Sequence, residues 1–356
     1  MNTRRVLQTA AAALAASMTA AQDVQLYGIN YNTRQGPDWA PPAEKCKTKA
    51  QIEQELTTLA KIAEVVRIYS IGDCDQAAQV LPIAKQVGLK VELGLWVNND
   101  TAVFKAEKEQ FTKLVTGSGL VTSDLVVGIH VGSEAVYRKE ITAAQNIDYM
   151  KEIKSIVKDK SLSIPVTIAD IGDVYLAHPE LIDAVDFVSA NAFPFWERIE
   201  VSRAASYFLE RMTPLFNLAT EKNKPIVISE TGWASHGQNP NASIASPDNA
   251  ATYFHDISTL ATALNWSLYY FEAFDESWKL AHDANNTVEA HFGLFHANGT
   301  LKAEYETYFP MGKETAVASS STDASSVAMP ALTSVAPSGP PSSMPPVICR
   351  AMRDPK

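Results

Sequence analysis

Cysteine is scarce in this chain: three residues in 356, none of them in a CxxC pair. With seven scattered histidines and no His-rich cluster, zinc finds no ligand set, and metal catalysis has little support. Cations are in deficit too. The 30 Lys and Arg against 40 Asp and Glu leave a net charge of -10, which argues against a nucleic-acid partner, whose phosphates need a basic face. Hydrophobic runs are short: the Ala-rich stretch ending near Ala16 falls below the roughly 20 residues of a membrane span. An uncharged polymer is the better expectation for the ligand.

What is present at the N-terminus fits export. Arg4 and Arg5, the Ala-rich stretch and the small residues through Ala21 have the basic, apolar and cleavage-site parts of a signal peptide, expected to span residues 1–21. In an oxidising compartment Cys46 and Cys74 can pair across the first βα unit, leaving Cys349 alone. Asn-X-Ser/Thr sequons at Asn99, Asn241, Asn265, Asn285 and Asn298 are glycosylation points on such a chain. From Met311 to Lys356 Ser, Thr, Pro and Ala dominate and no aromatic residue occurs, so a disordered Ser/Thr/Pro-rich tail is expected over 311–356. It lacks the hydrophobic end of a GPI signal. The protein is expected to be secreted, extracellular or cell-wall associated.

Between residues 22 and 310, short apolar runs alternate with longer amphipathic ones, the pattern of repeated βα units around a parallel sheet. Eight strands are predicted: Gln25 to Tyr31, Val65 to Ser70, Lys90 to Val97, Val126 to Glu134, Pro165 to Asp170, Phe187 to Phe193, Pro225 to Glu230 and Ser267 to Asp275. Helix-like spacing of apolar residues at three and four fills segments such as Ala50 to Ala63. Eight such units close into a single α/β domain, a (β/α)8 TIM barrel, for which about 250 residues or more is ordinary.

Active sites of such barrels lie at the C-terminal strand ends, so residues closing strands carry functional weight. Tyr31 closes the first, Arg67 and Tyr69 the second, Trp96 the third, Glu134 the fourth and Asp170 the fifth. Asn191 and Phe193 close the sixth, Glu230 the seventh, and Glu272, Asp275 and Glu276 the eighth. Glu134 and Glu230, 96 residues apart, each end an apolar run. Two acids facing one sugar break a glycosidic bond, one protonating the leaving oxygen while the other attacks or activates water. Trp39, Trp96, Trp196, Trp233 and Trp278 fall at or beyond predicted strand ends, where indoles stack on sugar rings or simply plug the barrel mouth.

Blander roles exist for several of these residues. A lone strand-end Glu also serves as structural partner of an arginine such as Arg67 or Arg138. Asp170, Asp173 and His178 invite a metal reading, but helix capping and loop hydrogen bonding account for them better. His130, between apolar neighbours, reads as a core histidine, and His236 and His291 near the mouth receive no role.

The motifs resemble those of glycoside hydrolase family 17, the β-1,3-glucanases. Ile226-Val-Ile-Ser-Glu230-Thr-Gly-Trp233 is similar to its nucleophile signature, and Tyr270-Phe-Glu272-Ala-Phe-Asp275-Glu276-Ser-Trp278-Lys279 to its eighth-strand motif. Tyr27-Gly-Ile-Asn-Tyr31, Val66-Arg67-Ile-Tyr69, Val131-Gly-Ser133-Glu134, Asn191-Ala-Phe-Pro194-Phe195 and Glu289-Ala-His-Phe-Gly293 match in order, so the resemblance covers about residues 24 to 308. The fungal and oomycete wall-associated members are the nearer type.

The resemblance implies a retaining mechanism with Glu230 as nucleophile and Glu134 as general acid and then base, their carboxyls about 5 to 5.5 Å apart. It implies that Arg67 hydrogen-bonds the nucleophile, that Tyr31 and Asn191 are close partners, and that Glu276, Lys279 and Glu289 support the sugar subsites. Tyr69, Ser133 and Trp233 complete the expected substrate-binding set. Ser133 stands where many relatives carry Asn, and Ala234 where many carry Pro, the second affecting loop stiffness more than chemistry. A monomeric enzyme that hydrolyses internal linkages of β-1,3-glucan without a cofactor is the first expectation. A transglycosylase remodelling a cell wall is the alternative, and a non-catalytic glucan-binding wall protein the third.

Overall fold

The computed structural model describes residues 24–281 and 285–309. The expected signal peptide at 1–21 and the expected tail at 311–356, with Cys349, lie outside the described residues. Eight parallel strands follow one another around a closed barrel: β1 (Leu26–Asn30), β2 (Ala63–Arg67), β3 (Lys90–Leu95), β4 (Val126–Ser133), β5 (Val166–Ile171), β6 (Val188–Asn191), β7 (Ile226–Thr231) and β8 (Ser267–Tyr270). β8 pairs back onto β1 through Gly28 with Tyr269 and Ile29 with Tyr270. This is a single (β/α)8 TIM barrel.

Strands in such a sheet meet helices on one side and barrel neighbours on the other, so their residues are buried on both faces and read as continuous apolar runs. Only Lys90 is exposed in β3, and only Val127 is partly exposed in β4. Four of the helices start where the chain supplies a side-chain cap for their free amides. Thr48 and Gln51 form a reciprocal box at Lys49–Leu59, while Asp100, Thr142 and Ser246 accept from the first turns of Thr101–Gly117, Ala143–Asp159 and Pro247–Leu264.

Two strands, β2 and β8, differ most from the sequence expectation. The first long helix stops at Leu59 rather than Ala63, and Ala63 opens β2, which ends at Arg67 instead of Ser70. β8 ends at Tyr270, four residues into a predicted run of nine. Both runs stay apolar past their last ladder bond because the mouth is buried: Ile68, Phe271, Ala273 and Phe274 are core residues without being strand.

The barrel interior carries a polar layer. Arg67 of β2 reaches Glu230 of β7, and since those strands are not neighbours the contact crosses the inside of the barrel. Register sets Arg67 beside Glu92 and Gly94 beside His130. A Cβ on Gly94 would stand 2.4 Å from the His130 Nε2, so glycine leaves the space the imidazole fills. After β8 the chain crosses the mouth in short turns and returns beneath, where the Val24 amide bonds the Tyr308 carbonyl. Cys46 and Cys74 are bonded, tying the loop after β1 to the loop after β2. No helix among the described residues is long and apolar enough to cross a membrane.

Candidate active site

A cavity of about 420 Å³ opens at the C-terminal mouth, within the range of roughly 300–1,000 Å³ usual for ligand sites. Glu134 and Glu230 both line it. They arrive there on different local structures. β7 carries Glu230 directly, as its fifth residue. β4 ends at Ser133, and Glu134 follows in the left-handed region at φ +58, a conformation that side-chain-bearing residues rarely adopt without outside support. That support is visible: the Glu134 amide bonds the Ala169 carbonyl, and the amides of Val136 and Tyr137 both donate to Asp170 Oδ2. Asp170 thus holds the turn that presents Glu134. Its burial pushes its carboxyl up to about 7, against the pull of those amides and that of Ile171.

The surroundings of the two glutamates are unlike. Arg67 Nη1 lies 2.8 Å from Glu230 Oε1 and 2.9 Å from Asn30 Oδ1, and its Nε is 3.3 Å from Glu92 Oε1. Glu92 in turn faces His130 Nδ1 at 3.1 Å. Burial and the Arg67 charge lower that imidazole to about 4, so at neutral pH it is an uncharged partner of Glu92. Glu230 therefore sits against a buried cation. Glu134 accepts from a neutral donor instead: Asn191 Nδ2 donates to its Oε1 at 2.8 Å, and Ser229 Oγ fixes the amide by donating to Asn191 Oδ1 at 2.7 Å. Desolvation first, and the charge of Glu230 second, push the Glu134 carboxyl up to about 8.

Beside the pair lies a second acidic group. Lys279 Nζ is 2.6 Å from Glu276 Oε2 and 3.3 Å from Glu272 Oε1, and Glu289 lines the same wall. Burial and then the neighbouring Glu276 drive the Glu272 carboxyl well above its ordinary range, while burial raises Glu289. Tyr69 lines the cavity, with its ring 5.1 Å from the Arg67 guanidinium and its hydroxyl buried without a protein hydrogen-bond partner. Ser133 also lines it, its hydroxyl 3.4 Å from Glu230 Oε1. Apolar faces come from Trp96, Phe193, Trp196, Phe271, Trp278 and Phe292.

The expected site residues divide into three groups. Tyr69, Ser133, Glu134, Glu230, Glu276, Lys279 and Glu289 form cavity wall. Arg67 and Asn191 stand behind it, each bonded to one of the two glutamates. Tyr31 and Trp233 are elsewhere. The Tyr31 hydroxyl donates to Glu55 Oε2 at 2.7 Å under the Lys47 ammonium, and Trp233 is buried against Phe195 and Tyr253 with its indole N–H on the Ile244 carbonyl. Both sit just past strand ends, yet they pack toward the helices Lys49–Leu59 and Pro247–Leu264 rather than the mouth. Of the five expected rim tryptophans, Trp96, Trp196 and Trp278 line the cavity. Asp173 pairs with Arg211 and His178 with Glu180, and no group of three metal-ligating side chains occurs among the described residues.

Sequence reasoning did not single out Glu92 or Glu107. Glu107 projects from the helix Thr101–Gly117 into the cavity wall, where it accepts from Ser70 Oγ at 2.5 Å and from the amides of Ile71, Gly72 and Trp96. A glutamate on a helix looks solvated in sequence. The signal that was available is weak: Glu92 is the one charged residue inside the apolar run Val91 to Val97.

A closed parallel barrel with two carboxyls at its C-terminal mouth, one against a cation and one held protonated, defines a glycosidase-like site. The BtgE/BtgC glycoside hydrolase domain model matches residues 28–293, and the chain belongs to that glycoside hydrolase family, of the family 17 type. It is 31% identical over 277 residues to the glucan 1,3-beta-glucosidase BGL2 of Candida albicans, covering 74% of this chain and 89% of that one. Among solved structures it is similar to the glycoside hydrolase family 17 beta-1,3-glucanosyltransferase of Rhizomucor miehei, with 29% identity, a TM-score of 0.68, and coverage of 78% of this chain and 96% of that one. An active-site mutant of the same protein in complex with laminaritriose matches with 28% identity, a TM-score of 0.67 and the same coverage.

Proposed function

We propose that the protein is a retaining glycosidase of β-1,3-glucan that cuts internal linkages, with Glu230 as nucleophile and Glu134 as acid and then base. The observation that carries this reading is the asymmetry of the pair: Glu230 has the Arg67 cation at 2.8 Å, while burial holds Glu134 protonated up to about 8. Two carboxyls with opposite surroundings supply the two opposite roles that double displacement needs. As the Glu230 carboxylate attacks C1, Glu134 gives its proton to the glycosidic oxygen and the C1–O bond breaks. Glu134, now a carboxylate, takes a proton from water as that water attacks C1 and releases Glu230.

Cleavage of internal linkages is supported by the spread of aromatic faces, with Trp96 after β3, Trp196 after β6 and Trp278 after β8, so that sugar can be gripped on both flanks of the pair. β-1,3 linkage is supported by the similarity to the glucan 1,3-beta-glucosidase of Candida albicans. Export is supported by the Cys46–Cys74 bond and by the exposed sequon asparagines, both suited to an oxidising compartment. A transfer reaction is the second reading, favoured by the similarity to the glucanosyltransferase: a sugar hydroxyl replaces water in the second step.

Product analysis from reducing-end-labelled β-1,3-gluco-oligosaccharides tests both. Shorter products with retained anomeric configuration are expected. Products longer than the substrate would make transfer the principal reaction, and inverted products would overturn the assignment of Glu230. A 2-deoxy-2-fluoro glucosyl donor should leave a covalent adduct on the peptide containing Glu230, and an adduct elsewhere would overturn it as well.

A further inference from the structure

We infer that Trp39 is a second glucan-binding platform outside the cavity, which catches the polymer where it leaves the barrel mouth. The inference rests on the β-glucan reading above and adds to it a site that the reaction does not require.

Three large apolar side chains are exposed among the described residues, and Trp39 at 61% is the aromatic one. It stands in the loop from Asn32 to Cys46, whose inner residues Asn32, Arg34 and Asp38 form cavity wall. The residue before Trp39 is therefore part of the established site, and a chain passing out over Asp38 meets the indole next. Arg34 joins the loop to the far side of the β8–β1 seam, its guanidinium 5.4 Å from the ring centre of Trp278, which also lines the cavity. Trp278 inside the cavity, the polar step of Arg34 and Asp38, and Trp39 next to Asp38 in the chain thus follow one another along this loop.

The backbone of the loop is braced on both sides of Trp39. Gln35 and Gly36 amides both bond the Lys45 carbonyl, Lys47 bonds Thr33, and Ala40 bonds Pro37. A Cβ on Gly36 would approach the Glu44 carbonyl to 2.5 Å, so the two arms of the loop touch. Pro37, Pro41 and Pro42 flank Trp39, and the Cys46–Cys74 bond anchors the loop's end to the next one. Binding to a preorganised face gives up little conformational entropy. A tryptophan exposed by accident needs no such frame.

Charge identifies the occupant as uncharged. Arg34 pairs with Asp38 and, at 2.7 Å, with Asp73; Lys45 pairs with Asp73 at 2.7 Å and stands 3.6 Å from Asp38. Two cations and two anions cancel, leaving no field for a phosphate or sulfate. A flat indole beside self-neutralised polar groups fits the apolar face and the hydroxyl rim of a hexose chain.

The test compares full-length wild type, Trp39→Ala and Trp39→Phe on β-1,3-linked trisaccharide and on insoluble linear β-1,3-glucan. Trp39→Ala should reduce depletion onto the polymer, and kcat/KM on it, by roughly three- to tenfold, the loss of part of one buried aromatic face. Trisaccharide kinetics and thermal midpoint should stay at wild-type values, and Trp39→Phe should recover most of the polymer binding. An unchanged ratio of polymer to trisaccharide activity overturns the platform, as does an equal fall on both, which would make Trp39 a structural part of the mouth. A wild type inactive on both substrates would instead remove the β-glucan reading, and the platform with it.

Discussion

Glu230 is held from the β1–β3 side by a cation, whereas Glu134 is held from the β5–β6 side by an amide and a turn. Behind Glu230 stands a chain of charges, Arg67 to Glu92, closed by a neutral His130. Behind Glu134 stand Asn191, Ser229 and the Asp170 cradle, and the Arg138 charge acts on its carboxyl more weakly than the Asn191 bond does. One side sets a buried cation against its carboxyl; the other uses burial to keep a carboxyl protonated. The comparison teaches that identical side chains differ in role through their neighbours alone, and each substitution below removes one side of it.

The largest effect is expected from Glu134→Gln, which keeps the Asn191 bond but cannot give up a proton. kcat should fall about 10²- to 10⁴-fold, and the alkaline limb near pH 8 should vanish from the pH–rate profile. The same variant has a stability signature. Because burial raises the folded carboxyl above its unfolded value, the folded state holds the proton longer, so wild-type stability declines from the ordinary carboxyl range up to about pH 8. Glu134→Gln should therefore gain stability relative to wild type as pH rises through that window. A gain that shrank with rising pH would contradict the protonated acid.

Arg67→Leu comes next. It leaves Glu92 and Glu230 buried without their shared cation, for which about 3–5 kcal/mol of destabilisation is expected in a urea midpoint. Adding Glu92→Leu should return part of that loss without returning activity. If Arg67→Leu unfolded no earlier than wild type, the charged side of the comparison would be wrong.

Asn191→Ala acts on the neutral side and is smaller, about 1–3 kcal/mol, since it leaves the Ser229 hydroxyl and one Glu134 oxygen without a partner. Its useful readout is a direction. The Asn191 bond pulls the Glu134 carboxyl down against burial, so its loss should move the alkaline limb to higher pH. A shift downward would mean the amide is not on Glu134 in solution.

The barrel and both glutamates were legible in the sequence, because burial on two faces makes parallel strands apolar throughout and an acid ending such a run stands out. Asn191 was expected near the end of the sixth strand, and its place beside the acids came from the family resemblance. What misled was the assumption that a side chain just past a strand faces the mouth. Tyr31 and Trp233 sit at such positions and point away from the mouth, where Glu55 of the helix Lys49–Leu59 and the Ile244 carbonyl satisfy them. Glu107 was hidden for the opposite reason: its role depends on a helix returning to the mouth, and helix spacing alone does not record which face meets the β2 and β3 loops.

Tyr69→Phe should have the smallest effect, and it sharpens the comparison because Tyr69 stands between the two acidic groups. Its ring stacks near Arg67, and the negative groups that reach its hydroxyl are Glu230, Glu272 and Glu276. Burial drives that hydroxyl well above its ordinary range, so it remains a neutral donor at any working pH. Since no protein group accepts from it, its removal orphans nothing, and the thermal midpoint should not move. A sugar hydroxyl is the acceptor such a donor suits. On that basis kcat/KM should fall by about two- to tenfold, the worth of one neutral hydrogen bond, with the pH profile unchanged. A changed alkaline limb would show instead that Tyr69 tunes the Glu134–Glu230 pair directly, and the division between a charged side and a neutral side would need a third member.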